Sequence, residues 1–284
     1  MIDTDTRLAI ERLARTLRFA PAERGGVAGS DPGGRIGRSG EFEEFRPWRP
    51  GDDLRTLDLG VYRRLRRRVA RVDREESGVP LTLLIDRSAS MAEPARERCV
   101  QELSLLFVSI AIEAGEPVRA FTYVAELPEP LPSPSAAAVE RALDDRPCAG
   151  DSDAARAFRA LPVDPQGPGR VIVLTDGFGL REGTDLAPLT LGGRVWLIAP
   201  WTAEEWQPSA RGSVLFQSRE NEPSWRGVVN AATLEEYRAS GDRRWRALHR
   251  ALLPTGGRAE RIVAEEGARG LIDRALRHGE WLRR

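Results

Sequence analysis

Lysine is absent from this chain of 284 residues, so all 43 of its basic side chains are arginines. Acidic residues also number 43, and the formal net charge is zero. Proteins that bind nucleic acid in general carry an excess of positive charge, so this balance argues against that class. The arginine-rich run at residues 63–71 is interpreted as a strand or helix face paired with nearby glutamates. A GC-rich bacterial genome accounts for arginine in place of lysine.

Cysteine and long apolar segments are also scarce. The two cysteines, Cys99 and Cys148, suggest neither a disulfide framework nor a zinc site. No apolar stretch approaches the ~20 residues that span a bilayer. The N-terminus lacks the basic start and apolar core of a signal peptide. We therefore expect a protein that does not span a membrane and resides by default in the cytoplasm.

The most informative segment is a short apolar run that ends in an aspartate and is followed by two serines. Asp86 closes the run, Ser88 and Ser90 follow at alternating positions, and helical sequence then resumes. A strand, a turn and a helix in this order place the three side chains where open α/β sheets bind ligands. An all-oxygen set suits a hard cation such as Mg²⁺. Local hydrogen bonding in turns and helix caps is the alternative reason for these residue types.

Two later turns offer further oxygen ligands. Asp176 closes a second apolar strand, and Ser152 lies in a Gly-Asp-Ser-Asp segment. Together with the aspartate and serines of the first turn, they resemble the metal-ion-dependent adhesion site of von Willebrand factor type A domains. The signature of that site is Asp-x-Ser-x-Ser, completed by a Thr and an Asp from later loops. Ser152 stands at the Thr position, which keeps the hydroxyl and loses a methyl group.

The resemblance implies a ligand set and a kind of partner. The implied metal is Mg²⁺ or Mn²⁺, with one coordination position open to an acidic side chain of a protein partner. Asp86 would be the anionic anchor, and Ser88 and Ser90 would bind the metal directly. Ser152 and Asp176 would bind it directly or through water.

A second resemblance lies upstream, in residues 39–59. This segment resembles the hallmark of the domain-of-unknown-function 58 family, which reads roughly Gly-x-Glu-Phe, Arg-x-Tyr-x-Pro-Gly-Asp-Asp-x-Arg and Ile-Asp-Trp. Here Trp48 replaces the Tyr, and Leu57-Asp58-Leu59 replaces the last triplet. Family members carry the hallmark before a type A-like domain, and bacterial members are often encoded with a MoxR-type AAA+ ATPase. The resemblance thus implies an adaptor or chaperone-like partner of such an ATPase.

Strands alternate with helices downstream of the first turn, which predicts a doubly wound, mainly parallel α/β sheet. This fold class is type A-like and Rossmann-like, and we expect a small β-rich accessory module beside it. Residues 1–34 are predicted to form an N-terminal helix and a glycine-rich linker, 35–78 a β-rich hallmark segment, and 79–284 the type A-like domain. A predicted hairpin within 205–232 is expected to pack against 35–76.

Three function classes follow from these features. The first is a non-enzymatic, metal-dependent protein–protein interaction module. The second is an interaction scaffold that kept the fold but has a degenerate, metal-free site, because Ser152 departs from the usual Thr. The third is a metal-dependent phosphohydrolase with an aspartate nucleophile. Phosphatases of the haloacid dehalogenase type need a second Asp two residues after the first, and Ser88 occupies that place. We expect the first class and no enzymatic activity.

Overall fold

The computed structural model describes residues 2–20, 42–49, 58–73, 79–125, 128–131, 135–162, 169–181, 185–191, 193–217, 219–220, 223–278 and 281–283. The helices in these ranges are α1 Thr4–Thr16, α2 Leu59–Leu65, α3 Pro94–Glu113, α4 Ala136–Asp144, α5 Ala154–Ala160, α6 Ala187–Leu191, α7 Ala203–Trp206, α8 Ala231–Leu252 and α9 Gly267–His278. The strands are β1 Arg18–Phe19, β2 Phe42–Pro47, β3 Val69–Asp73, β4 Leu81–Asp86, β5 Val118–Tyr123, β6 Glu129–Pro130, β7 Gly169–Leu174, β8 Gly193–Trp201, β9 Gly212–Phe216, β10 Trp225–Val229, β11 Arg258–Val263 and β12 Leu282–Arg283.

Contacts divide the chain into two units, and the central sheet belongs to the larger one, residues 1–25 and 79–284. Among the described residues, six strands form this sheet in the order β11-β8-β7-β4-β5-β6. All neighbours are parallel except β5 and β6. The chain runs outward from β4 to β6 and returns to the other side of β4 with β7. This is the order of a doubly wound sheet, so the predicted fold class is confirmed.

Both faces of the sheet are covered, which explains the uninterrupted apolar sequence of its central strands. Every residue of β4 and β7 is buried. Side chains alternate between faces along a strand, so Leu83 and Ile85 join the core formed with α1, α3 and α9. Leu84 joins the opposite core, formed with α5 and α8. Strands buried on both sides read as near-continuous apolar runs, as in other parallel sheets.

Strands alternate with helices downstream of β4, as the sequence predicts, but the two ends of the chain differ from the helices that their sequences favour. The apolar spacing of residues 3–19 predicts one N-terminal helix, but α1 ends at Thr16 and Arg18–Phe19 forms β1. The sequence of residues 268–282 likewise predicts a final helix, but α9 ends at His278 and Leu282–Arg283 forms β12. The physical reason is the antiparallel pairing of β1 with β12, which gives these residues backbone partners outside a helix.

The smaller unit, residues 26–78, contains the described part of the hallmark segment. Strands β2 and β3 pair antiparallel, and α2 lies between them in the sequence. Asp58 caps α2, because its side chain accepts a hydrogen bond from the Val61 amide at 2.9 Å. The Pro-Gly-Asp-Asp turn of the hallmark lies outside the described residues. The predicted packing of 205–232 against 35–76 stays a prediction.

Among the helices in the described part of the chain, none is long and apolar enough to cross a bilayer.

Candidate metal site at the carboxyl edge of the sheet

The two predicted carboxylate ligands lie at the switch point of the sheet. Asp86 is the last residue of β4, and Asp176 comes two residues after the end of β7. These strands are neighbours, and the chain leaves their carboxyl ends toward different parts of the sheet. A crevice forms at such a point, and ligands of open α/β sheets bind there.

A local turn positions the two serines of the first motif. The Ser88 amide donates to Asp86 Oδ1 at 2.9 Å, which is the hydrogen bond of an Asx turn. Residues Ala89–Ala92 then form a single 3₁₀ turn that leads into α3. The Ser88 and Ser90 hydroxyls share a hydrogen bond at 3.1 Å. Local hydrogen bonding therefore accounts for one oxygen of Asp86, but not for the other.

The second oxygen of Asp86 accepts hydrogen bonds from hydroxyl groups in distant parts of the chain. Its Oδ2 accepts hydrogen bonds from Thr175 Oγ1 at 2.7 Å, Tyr123 OH at 3.2 Å and Ser152 Oγ at 3.3 Å. Burial raises the pKa of Tyr123 well above its usual value, so its phenol stays protonated and donates. Asp86 is fully buried, and hydroxyl groups from the end of β5, from the segment before α5 and from the turn after β7 all meet at its carboxylate.

Asp176 supplies a second buried carboxylate that is incompletely satisfied. Its Oδ1 accepts from the Phe178 amide at 3.0 Å. Its Oδ2 is buried and has no hydrogen-bond partner among the described residues. The positively charged Arg96 Nη1 lies 3.7 Å from that oxygen. A buried carboxylate oxygen without a hydrogen bond is costly, so this atom favours a cation or a proton beside it.

The two aspartates are electrostatically coupled. Burial and, to a smaller extent, the negative charge of Asp176 raise the pKa of Asp86 to about 6. Hydrogen bonds from Ser88 and Thr175 act in the opposite direction, because they stabilise the ionised carboxylate. Two buried carboxylates that repel one another create a strong local preference for positive charge.

Arg96 supplies part of that positive charge from the first turn of α3. It is 2% exposed, and its Nε donates to the Pro200 carbonyl at 2.9 Å. The remaining guanidinium nitrogens donate to the Ser90 carbonyl and to the Glu205 carboxylate. Arg96 thus lies close to two carboxylates, those of Glu205 in α7 and Asp176. Its hydrogen bonds connect α3 with α7 and with the turn that contains Ser90.

The structure brings together the residues that the sequence singled out. Hydrogen bonds link four of them, Asp86, Ser88, Ser90 and Ser152. Asp176 lies close enough for its charge to raise the pKa of Asp86. Sequence reasoning missed Thr175, Tyr123 and Arg96. The first two could have been found as polar residues at the carboxyl ends of apolar strands, whereas Arg96 carried no signal in a helical segment rich in arginine.

The residues present fit a hard divalent cation. Two carboxylates and three serine hydroxyls are oxygen donors of the kind that Mg²⁺ and Mn²⁺ bind. Within the described ranges there is no group of three or more His, Cys, Asp or Glu that could hold a metal. A metal at this point therefore depends on hydroxyl groups and water for the rest of its coordination. The observation that favours a cation here is Oδ2 of Asp176, which accepts no hydrogen bond from the described residues.

Comparison with known proteins shows a distant likeness to a solved structure. No protein-family model matches this chain, and no curated protein matches it. Among solved structures, it is similar to an aerotolerance-related membrane protein from Bacteroides fragilis NCTC 9343 that carries multiple mutations to serines. The two share 15% sequence identity, over 71% of this chain and 100% of the other, with a TM-score of 0.37. The resemblance to the domain-of-unknown-function 58 family stays a prediction.

Proposed function

We propose that this chain is a non-enzymatic, metal-dependent protein–protein interaction module of the von Willebrand factor type A kind. One observation carries the proposal. The buried carboxylate of Asp86 accepts hydrogen bonds from three hydroxyl groups at the switch point of the sheet. Beside it lies a second buried carboxylate, Asp176, with one oxygen that has no hydrogen bond from the residues the structure describes.

Each predicted ligand has its own role in metal binding. Asp86 is the anionic anchor, and the hydroxyls of Ser88 and Ser90 are direct ligands. Ser152 and Asp176 bind the metal directly or through water. The cation, Mg²⁺ or Mn²⁺, supplies a coordination position for an acidic side chain of the partner. Arg96 lowers the net negative charge around that position, so an incoming carboxylate meets less repulsion.

The partner we propose is a MoxR-type AAA+ ATPase, with this chain as its adaptor or chaperone-like companion. This part of the proposal rests on the resemblance of residues 39–59 to the domain-of-unknown-function 58 hallmark. The recognition chemistry is more general than the partner's identity, because any protein with an exposed acidic side chain on a complementary surface fits the same site.

A scaffold that works without metal is the second candidate, and the hydrogen bonds of Asp86 favour it. Both oxygens of this carboxylate already accept hydrogen bonds from the chain. The positive charge of Arg96 lies beside Asp176, where it can take the role of a metal ion. A phosphohydrolase is less favoured, because Ser88 replaces the acid/base aspartate that such enzymes need.

A calorimetric titration of the metal-free protein with Mn²⁺ tests the proposal. We expect saturable one-to-one binding by the wild type. Asp86→Asn should weaken binding by at least about 100-fold, since even residues behind the direct ligands contribute 10–100-fold to metal affinity. Asp273→Asn, with the same change in charge on the exposed face of α9, is the matched control and should bind like the wild type.

Two outcomes would contradict the metal-dependent function. Absence of Mn²⁺ binding by the wild type would favour the metal-free scaffold. Equal affinities of wild type and Asp86→Asn would place any bound metal elsewhere. Circular dichroism of both variants checks that a lost site does not reflect a lost fold.

A further inference from the structure

An acidic side chain of this chain contacts Ser152, one of the predicted ligands of the candidate metal site. The Ser152 amide donates a hydrogen bond to Glu220 Oε2 at 3.4 Å. The hydroxyl of the same serine donates to Asp86 Oδ2 at 3.3 Å. Ser152 therefore links a carboxylate from the connection between β9 and β10 to Asp86, through its amide on one side and its hydroxyl on the other.

The hairpin that carries Glu220 is otherwise poorly covered. Along β9 and β10, Leu215 is 50% exposed, Trp225 59% and Val228 66%. The rings of Phe216 and Trp225 stack across the two strands with centroids 4.3 Å apart. An isolated two-stranded hairpin is marginally stable in water. The hydrogen bond from Ser152 to Glu220 is thus one of the contacts that fasten this hairpin at the carboxyl edge of the sheet.

The chemistry of Glu220 matches the ligand that the metal site takes from a partner. A divalent cation of this type binds carboxylate oxygens. We propose that Glu220 acts as an internal ligand, which fills the coordination position meant for the acidic side chain of the partner. A partner binds by displacing Glu220, and the hairpin with its exposed Phe216 and Trp225 moves with it. This inference rests on the proposed metal-dependent function and adds an intramolecular competitor to it.

The test compares Glu220→Gln with the wild type and with Glu235→Gln. Glutamine keeps the length of the side chain and its ability to accept from the Ser152 amide, but it loses the negative charge that makes a carboxylate a strong ligand of a divalent cation. Glu235 is an exposed glutamate on α8 and provides the same change in charge away from the site. The probes are Mn²⁺ alone and Mn²⁺ with ¹³C-labelled acetate, which stands in for the carboxylate of a partner.

Three readouts should change together in Glu220→Gln and in neither of the other proteins. The affinity for Mn²⁺, measured by calorimetry, should fall about tenfold. Water proton relaxation should show one more water on the bound Mn²⁺. Electron–nuclear double resonance should detect ¹³C-acetate bound to Mn²⁺ in the variant at concentrations that leave the wild type unchanged.

The outcomes separate this inference from the proposed function. If the wild type binds Mn²⁺ and Glu220→Gln has the same affinity and the same number of bound waters, Glu220 is not an internal ligand. The proposed metal site is unaffected by that result. A weaker affinity with an unchanged number of bound waters would also overturn the inference, because Glu220 would then act only through Ser152. Absence of Mn²⁺ binding by the wild type would overturn both.

Discussion

At the residue scale, the hydroxyl group of Thr175 connects Asp86 with the turn that contains Asp176. Its Oγ1 donates to Asp86 Oδ2 at 2.7 Å and accepts from the Gly177 amide at 3.2 Å. The side chain thus holds the carboxylate at the end of β4 and also the turn that follows β7. Asp176 lies within that turn, so the hydroxyl helps to set the relative positions of both aspartates.

Replacing Thr175 by valine should therefore destabilise the protein. The variant keeps the shape of the side chain but leaves a buried amide and a carboxylate oxygen each short of one partner, at a cost of about 1–3 kcal/mol. Urea denaturation of the metal-free protein measures the loss. Thr16→Val, which removes an exposed hydroxyl that bonds locally in α1, should stay within about 0.5 kcal/mol of the wild type. A Thr175→Val variant as stable as this control would show that the hydroxyl is dispensable.

At the element scale, the sequence predicted the site residues that lie close together in the chain. It missed the site residues that only the order of strands in the sheet brings together. Asp86, Ser88 and Ser90 could be found because a strand, a turn and a helix follow one another within a few residues. Tyr123 and Thr175 join them only because β5 and β7 flank β4 in the sheet. Glu220 comes from a hairpin far along the chain, and no local pattern connects it with Ser152. The two terminal strands were missed for the same reason, since each needs the other as a partner.

The start of β8 depends on two glycines that face one another across neighbouring strands. Gly193 pairs in register with Gly169 of β7 and has a φ of +127°. A Cβ added at Gly193 would lie 2.0 Å from the Gly169 carbonyl oxygen. We expect Gly193→Ala to cost about 2–5 kcal/mol, through backbone strain and the clash together. Gly179→Ala is the control, because a Cβ there meets nothing within 4 Å. Equal denaturation midpoints of the two variants would refute this account of the β7–β8 pair.

At the scale of the whole molecule, the two ends of the chain close the larger unit. Strand β1 pairs with β12, and the Ala20 amide donates to the Trp281 carbonyl at 2.8 Å. Helix α1 packs on α3, and Phe19 stacks on Phe107 with ring centroids 6.1 Å apart. The N-terminal helix is therefore part of the same core as the sheet, although residues 26–78 separate the two in sequence.

This closure predicts that damage to the N-terminal segment destabilises the whole larger unit rather than fraying one helix. Leu17 is 1% exposed in the core that also contains Trp196 and Trp281. Leu17→Ala should cost about 2–5 kcal/mol, because it leaves a cavity in that core. Leu13→Ala, at a position 39% exposed on α1, should cost less than about 1 kcal/mol. Urea denaturation followed by tryptophan fluorescence and by circular dichroism should give coincident midpoints, both lowered in Leu17→Ala. If the fluorescence midpoint stays unchanged while some helical signal is lost early, α1 unfolds independently and the chain ends do not close the fold.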